Sequence, residues 1–371
     1  MQQRDNLKVF AGWTSFSAMR KEAENGDPGA QCRMGEFHLY GLNTVTIDYA
    51  QAARWFTLAA DQEFARGMGK LGLLHEIGLG VTMNESRAVV LYREAAERGD
   101  ASARLSLAVL YENGECGLPG DAGRAAALYK DALYDLEWQA EDFGNAVAQN
   151  ELAWMYATGR GVEQDDAQAI SWYRRAAAQG HALAQRALGK LYEEACVYVP
   201  DRVVVRDYDE AVHWYRKAAE QGEREALSRL ARMYDEGWGV KREPERAFAL
   251  WRRAAALGLA TAQYTLGSSL VEGEEGLDAD PREAAYWFFK AAAQGLKRAQ
   301  ESLGVMYRTG RGVKQNEAAA DYWFARAEER SEHGPLQPAP PFPGDDSFAG
   351  YCPPQHEGRT ERDFLQRLAL Q

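Results

Sequence analysis

The chain has 371 residues, with 43 basic and 55 acidic side chains and a formal charge of −12 at pH 7. That balance favours solubility and excludes general nucleic-acid binding, which needs a basic footprint. No apolar run reaches the roughly 18 residues of a transmembrane helix, and Met1 to Asn6 carry no apolar leader; the expected setting is cytoplasmic, or periplasmic where a leader has been removed.

Taken in chain order, residues 1–26 read as an N-terminal segment. Leu7 to Trp13 lie ahead of a capping helix over Ser15 to Gly26. From 27 to 330 a motif of about 36 residues recurs eight times. Its first helix carries a Leu slot, at Met34, Leu71, Leu107, Leu152, Leu188, Leu230, Leu266 and Leu303. The next residue is always small: Gly35, Gly72, Ala108, Ala153, Gly189, Ala231, Gly267 and Gly304. Glycine inside a helix costs about 1 kcal/mol relative to Ala, so its recurrence predicts close approach of a partner helix. An aromatic slot follows at Tyr111, Tyr156, Tyr192, Tyr234 and Tyr307, with His38, His75 and Leu270 in other copies. These histidines read as substituted core aromatics, because neither has a metal-ligand partner at helical spacing.

Gly41, Gly78, Gly114, Gly159, Gly237, Gly273 and Gly310 are placed to end the first helix with a left-handed cap. The second helix starts behind caps such as Asp280 before Pro281 and Glu243 before Pro244. It then shows an aromatic pair or its equivalent, as in Trp55-Phe56, Trp172-Tyr173, Trp287-Phe288 and Tyr322-Trp323, followed by an Ala-rich stretch. The four cysteines, Cys32, Cys116, Cys196 and Cys352, show neither CxxC nor zinc spacing and read as small apolar groups.

Two steps of the Leu slot are long, at 45 and 42 residues against 36 or 37 elsewhere. The first excess falls around Tyr134–Phe143 and predicts a second helix longer by about two turns, or an extra short helix. The second falls at 196–205, a β-branched excursion read either as a loop folded back on the array or as a partner-contact loop. Residues 331–371 form a Pro-rich tail with a short helix over Thr360 to Leu370. The tail either folds back on the array or meets another protein.

The pattern A-x-x-x-L-G-x-x-Y-x-x-G-x-G-V … A-x-x-W-Y-x-x-A-A-x-x-G, clearest at Leu152 to Gly180, resembles the Sel-like repeat family, a relative of the tetratricopeptide repeats. The resemblance spans about 27–330. It implies an all-α fold, a right-handed α/α superhelical solenoid of about eight two-helix repeats that scaffolds protein–protein contacts. Bacterial members of the family include signalling adaptors, envelope-assembly factors and immunity proteins against secreted toxins. A cysteine-rich subgroup linked to peptidoglycan or penicillin binding carries a cysteine pair per repeat, which this chain lacks.

In the tetratricopeptide relatives, positions two before and two after the Leu slot face a concave groove. Carried over residue by residue, they give Asn150 and Trp154, Arg186 and Lys190, Ser228 and Arg232, and Tyr264 and Ser268; repeats two and three place Gly69, Leu73, Leu105 and Val109 there. Trp238 stands in the Gly-x-Gly-Val turn, where a polar residue is commoner. The candidate partner-binding set is therefore Asn150, Trp154, Arg186, Lys190, Arg232, Trp238 and Tyr264. Glu76, Glu112, Glu193, Glu194, Asp235, Glu236 and Glu272 suggest an acidic rim, set against the alternative of ordinary solvated helix ends. No HExxH, GxSxG, Walker loop or strand-borne GxGxxG is present, and the reading includes no catalytic residue, metal or cofactor. The expectation is a non-catalytic bacterial scaffold that holds another protein, such as a toxin or effector, in its groove. The alternative is an envelope protein that binds or hydrolyses peptidoglycan or β-lactam-like fragments.

Overall fold

The computed structural model describes residues 16–42, 45–194, 197–199, 202–204, 206–274, 278–328 and 348. Among these, seventeen helices alternate in antiparallel pairs, and the expected all-α solenoid of two-helix repeats is what the chain forms. Two compact units are distinguished: Met1–Asp207 with Gln221–Glu223, and Tyr208–Glu220 with Arg224–Gln371.

The first unit opens with α1 (Phe16–Glu24), at the place of the predicted capping helix, packed on α2 (Pro28–Tyr40). The hairpins α2/α3 (Tyr49–Ala60), α4 (Ala65–Ile77)/α5 (Glu85–Glu97), α6 (Ala101–Asn113)/α7 (Ala122–Glu141) and α8 (Ala146–Thr158)/α9 (Asp166–Ala178) follow, and α10 (Ala182–Glu194) packs on α9. The second unit contains α11 (Tyr208–Glu220) against α12 (Arg224–Glu236), then α12/α13 (Pro244–Ala256), α14 (Ala260–Glu272)/α15 (Pro281–Ala293) and α16 (Lys297–Thr309)/α17 (Glu317–Glu328).

Both long steps have a structural counterpart. Helix α7 runs 20 residues, against 13 in α5, α9, α13 and α15, so the first excess lengthens a second helix. The second excess forms a two-stranded antiparallel hairpin, β1 (Val197–Val199) and β2 (Arg202–Val204), pairing Val197 with Val204 and Tyr198 with Val203. Strand β1 packs on α9, as β-branched residues that resist a helix would suggest. The segments before Phe16 and the C-terminal helix over 360–370 lie outside the described residues. Within the tail only Phe348 is described, its ring 5.1 Å from Phe289 and 6.0 Å from Tyr286 of α15.

A side-chain carboxylate caps the second helix at Asp280 as expected, and carboxylates or amides also cap helices at Asp27, Asp48, Asn84, Asp100, Asp121, Asn145 and Asp165. Glu243 is a correction: it precedes Pro244 but makes no side-chain cap bond, its longer side chain being poorly placed for the first-turn N–H groups. Gly273 is another. Its φ of 77° comes with ψ of 155°, outside the left-handed helical region that Gly41, Gly78, Gly114, Gly159 and Gly310 occupy.

The small slot is explained by the facing ring. A Cβ on Gly35 would stand 2.5 Å from the fully buried Phe56 ring, and one on Gly304 2.9 Å from Phe324. Gly35→Ala should therefore lose stability by about 1–2 kcal/mol in spite of its helix-propensity gain. Gly123→Ala, at an exposed site in the first turn of α7, should gain up to about 1 kcal/mol. Urea midpoints of the two variants check the pair, and equal shifts would remove the steric argument.

A recurring polar contact joins neighbouring repeats. Three residues before the Leu slot, Gln31, Gln149, Gln185, Gln263 and Gln300 are all buried. Each donates its amide to a carbonyl near the end of the preceding second helix, at Ala23, Ala140, Ala177, Ala255 and Ala292, over 3.0–3.2 Å. Four of those carbonyls also accept the backbone N–H of the glycine three residues on, at Gly26, Gly180, Gly258 and Gly295, so the glutamine amide takes their second lone pair. Four of these glutamines in turn accept from Gln62, Gln179, Gln221 and Gln294.

Candidate interaction site

The first unit brings part of the predicted groove row together. Leu105 and Val109 of α6, Asn150 and Trp154 of α8, and Arg186 of α10 line one cleft of about 290 Å³, completed by Ser106, Glu151, Tyr173, Leu183 and Ala187. The five predicted residues come from three successive first helices, because positions two before and two after the Leu slot share a helix face. Asn150, Trp154 and Arg186 are half-buried. The Trp154 ring lies under the Arg160 guanidinium at 5.0 Å, and the Arg186 side chain reaches to 3.8 Å from the buried Glu223. Lys190 is exposed, 3.6 Å from Glu194 one turn on, and is not among the lining residues.

The remaining candidates lie in the second unit. Arg232 is exposed, with its guanidinium 5.8 Å from the Trp238 ring. Trp238 is half-buried, stacked on Tyr208 at 5.3 Å and 15°. Tyr264 is half-buried and tilts against Phe288 at 5.6 Å. Ser268 turns back on its own helix, donating to the Tyr264 carbonyl at 3.0 Å.

Several rim acids have work inside the chain. Glu76 accepts from the Tyr92 hydroxyl at 2.6 Å. Glu112 accepts from Tyr129 at 2.6 Å and from Arg160 at 2.7 Å, and Glu272 pairs with Arg311 at 3.0 Å. The arginines at 160 and 311 occupy the x of Gly-x-Gly, so one repeat's turn ties to the end of the preceding repeat's first helix. Glu112 sits below the usual carboxylate range because of the Tyr129 hydrogen bond, whereas burial holds Glu76 above it.

The sequence reading missed a set of charges under the cleft. Lys70 of α4 is 3% exposed, and its ammonium lies 3.0 Å from Glu151 of α8, whose carboxylate also accepts from Ser102 at 2.8 and 2.7 Å. Glu36, fully buried, is held by Arg33 at 3.1 Å and Arg66 at 2.5 Å. Tyr40 stacks on the fully buried His181 at 4.6 Å and lies 5.5 Å under the Lys70 ammonium. The network joins the first helices of repeats one, two, three and four within the first unit, with His181 just ahead of the first helix of repeat five.

Its electrostatics follow from burial opposed by pairing. Burial disfavours the Lys70 ammonium, but Glu151 more than reverses this and leaves its pKa above the ordinary value. Burial likewise opposes the Glu36 carboxylate, and Arg66 and Arg33 carry it below its ordinary range. His181 is pushed down to about 3 by burial, reinforced by Lys70 and Arg33. Asp100, which caps α6 through a 2.7 Å bond from the Ala103 amide, is pushed up to about 6 by burial. Burial also raises the Cys32 thiol, which makes it a poor nucleophile.

Among the described residues no group of three or more His, Cys, Asp and Glu side chains is arranged to hold a metal ion, and no helix is long and apolar enough to cross a membrane. The Sel1 repeat model matches eight times, at 28–64, 65–100, 101–133, 146–181, 182–223, 224–259, 260–296 and 297–331. The chain is 28% identical over 314 residues to chitin synthase regulatory factor 3 of Schizosaccharomyces pombe. The match covers 84% of this chain and 29% of that protein, so the chain corresponds to less than a third of the relative's length. Among solved structures it is similar to a Sel1 repeat protein from Oxalobacter formigenes, at 28% identity and a TM-score of 0.49 with 89% of this chain and 90% of the other covered. It is also similar to immunity protein Pa5087 from Pseudomonas aeruginosa, at 22% identity and a TM-score of 0.39, covering 66% and 89%. The curated relative is fungal, so it does not single out the bacterial source expected from sequence.

Proposed function

Since this chain belongs to the Sel1 repeat family, we propose that it is a non-catalytic scaffold whose first unit grips a protein partner in the cleft at Leu105, Val109, Asn150, Trp154 and Arg186. Sel1 repeat proteins are protein-interaction scaffolds. The observation that carries the assignment is the cleft itself: residues from three repeats, at positions that the tetratricopeptide resemblance assigns to one groove, line about 290 Å³ with apolar walls, an aromatic ring and a guanidinium. That volume takes one or two side chains, not a globular domain. The fitting occupant is an apolar anchor on a partner segment, with a carboxylate beside it to meet Arg186. The fungal relative's name, a regulatory factor, agrees with a protein that acts by holding another.

In its finer form the partner is a secreted toxin that the chain neutralises, or a signalling enzyme that it tethers. Co-elution with the product of an adjacent toxin gene distinguishes the first from the second. To test the cleft, a photo-crosslinking amino acid is placed at Val109 and, as control, at the exposed Ala126 of α7. The expected result is one protein adduct from position 109, none from 126, and a loss of about tenfold or more on adding Arg186→Glu with an unchanged circular dichroism spectrum. An adduct that survives Arg186→Glu, or equal labelling at both positions, would rule the cleft out.

A further inference from the structure

The two-turn extension of α7 carries a second surface, remote in composition from the cleft. On its inner side Ala132, Leu136 and Ala140 are buried; on its outer side Tyr134 is 76% and Trp138 38% exposed. Only one other aromatic ring among the described residues, Phe16, is comparably exposed. Tyr134 and Trp138 are one turn apart and so share a face. The edge of Phe143 meets Trp138 at 4.6 Å and 74°, which braces the indole from below the helix end. The flanking charges are Asp131, Glu137, Glu141 and Asp142 against Lys130, while Asp135 on the same stretch is paired with Arg104 of α6. Glu137 and Glu141 are themselves one turn apart, an unfavourable like-charge pair, and among the described residues neither makes an ion pair with a cation. Burial, and then the Glu141 charge, hold Glu137 above the ordinary carboxylate range.

An exposed aromatic strip lined by carboxylates is complementary to cations. A guanidinium or ammonium can lie over the indole and phenol faces while it pairs with the acids. A second copy of this chain is the poorer occupant, because docking strip against strip would set four carboxylates on each side together. We infer that the Tyr134–Trp138 face of α7 docks an arginine- or lysine-bearing segment of a partner protein. This surface is separate from the cleft and does not depend on it.

The probe is a fluorescein-labelled peptide of alternating arginine and glycine, titrated by anisotropy against the full chain at about 50 and 150 mM salt. The variants are Tyr134→Ala/Trp138→Ala and Glu137→Gln/Glu141→Gln. The control is Glu163→Gln/Glu245→Gln, which makes the same charge change at exposed sites elsewhere. The inference requires affinity to fall by about tenfold or more in both test variants and by less than about twofold in the control. All variants must keep the wild-type melting temperature. Equal losses in test and control variants would mean attraction to bulk charge and overturn it, as would binding that survives loss of the two rings. Self-association in the ultracentrifuge that disappears with Tyr134→Ala/Trp138→Ala would assign the strip to a second copy and overturn it as well.

Discussion

Lys70→Met should cost the first unit about 3 kcal/mol or more. The variant removes the ammonium at 3.0 Å from Glu151 and leaves that carboxylate, 15% exposed, with Ser102 as its remaining close partner. Removing one member of a buried pair strands the other, typically at about 3–5 kcal/mol. Water can reach Glu151 to some extent, which places the expectation at the lower end. Replacing both members, as Lys70→Met/Glu151→Leu, should recover most of the loss, because two apolar groups of similar volume need no desolvation. Urea midpoints for the wild type, the single variants and the double variant measure the coupling. Additive losses would show that the two side chains do not act as a pair. Glu151 also lines the cleft, so Lys70→Met should weaken partner capture without touching the partner, whereas Arg186→Glu should weaken it without unfolding the chain.

Why the cleft was legible and the network beneath it was not comes down to register. The Leu slot fixes helix phase, and the resemblance to the tetratricopeptide repeats assigns the residues two positions either side of it to the groove face. The structure does bring Leu105, Val109, Asn150, Trp154 and Arg186 together. The same rule applied to repeat one gives Cys32 and Glu36, which the structure buries completely. Phase says which way a side chain points, and not which other repeat it meets. Lys70 and Glu151 both stand one residue before the Leu slot, at equivalent positions of repeats two and four. Nothing local in the sequence says that these two helices face each other. The buried glutamines were missed for a different reason. A polar residue three before the Leu slot looks like a solvated helix face, yet its recurrence in five copies next to a small residue was the available signal. The acidic ends of the first helices were legible as a pattern, but their tyrosine and arginine partners lie on other helices and turns.

Acidification should unlock the first unit through His181, and the sign can be worked out group by group. In the folded chain His181 has its pKa pushed down to about 3, against about 6.5 when unfolded. Between those values the unfolded chain holds a proton that the folded chain does not, so stability falls as the pH falls below about 6.5. At pH 5 the loss is about 2 kcal/mol. Asp100 acts the other way. Its pKa is raised to about 6, so its folded form binds the proton more tightly, and acidification from about 6 towards 4 adds stability. Asp100 retains partial solvent contact, so its contribution is discounted relative to that of the fully buried His181. Glu36, lowered by its arginines, adds to the acid lability once the pH drops below its ordinary range. The expected net result is a decline from about pH 6.5 to 4. His181→Asn separates the terms, because Asn can still accept from the Ala184 amide, as the His181 Nδ1 does at 3.3 Å, but cannot titrate. That variant should flatten or reverse the slope between pH 6.5 and 4.5, and Asp100→Asn, which keeps its cap on α6, should steepen it. Urea midpoints measured across this range decide the matter; a His181→Asn profile parallel to the wild type would show that the buried imidazole is not what couples this unit to pH.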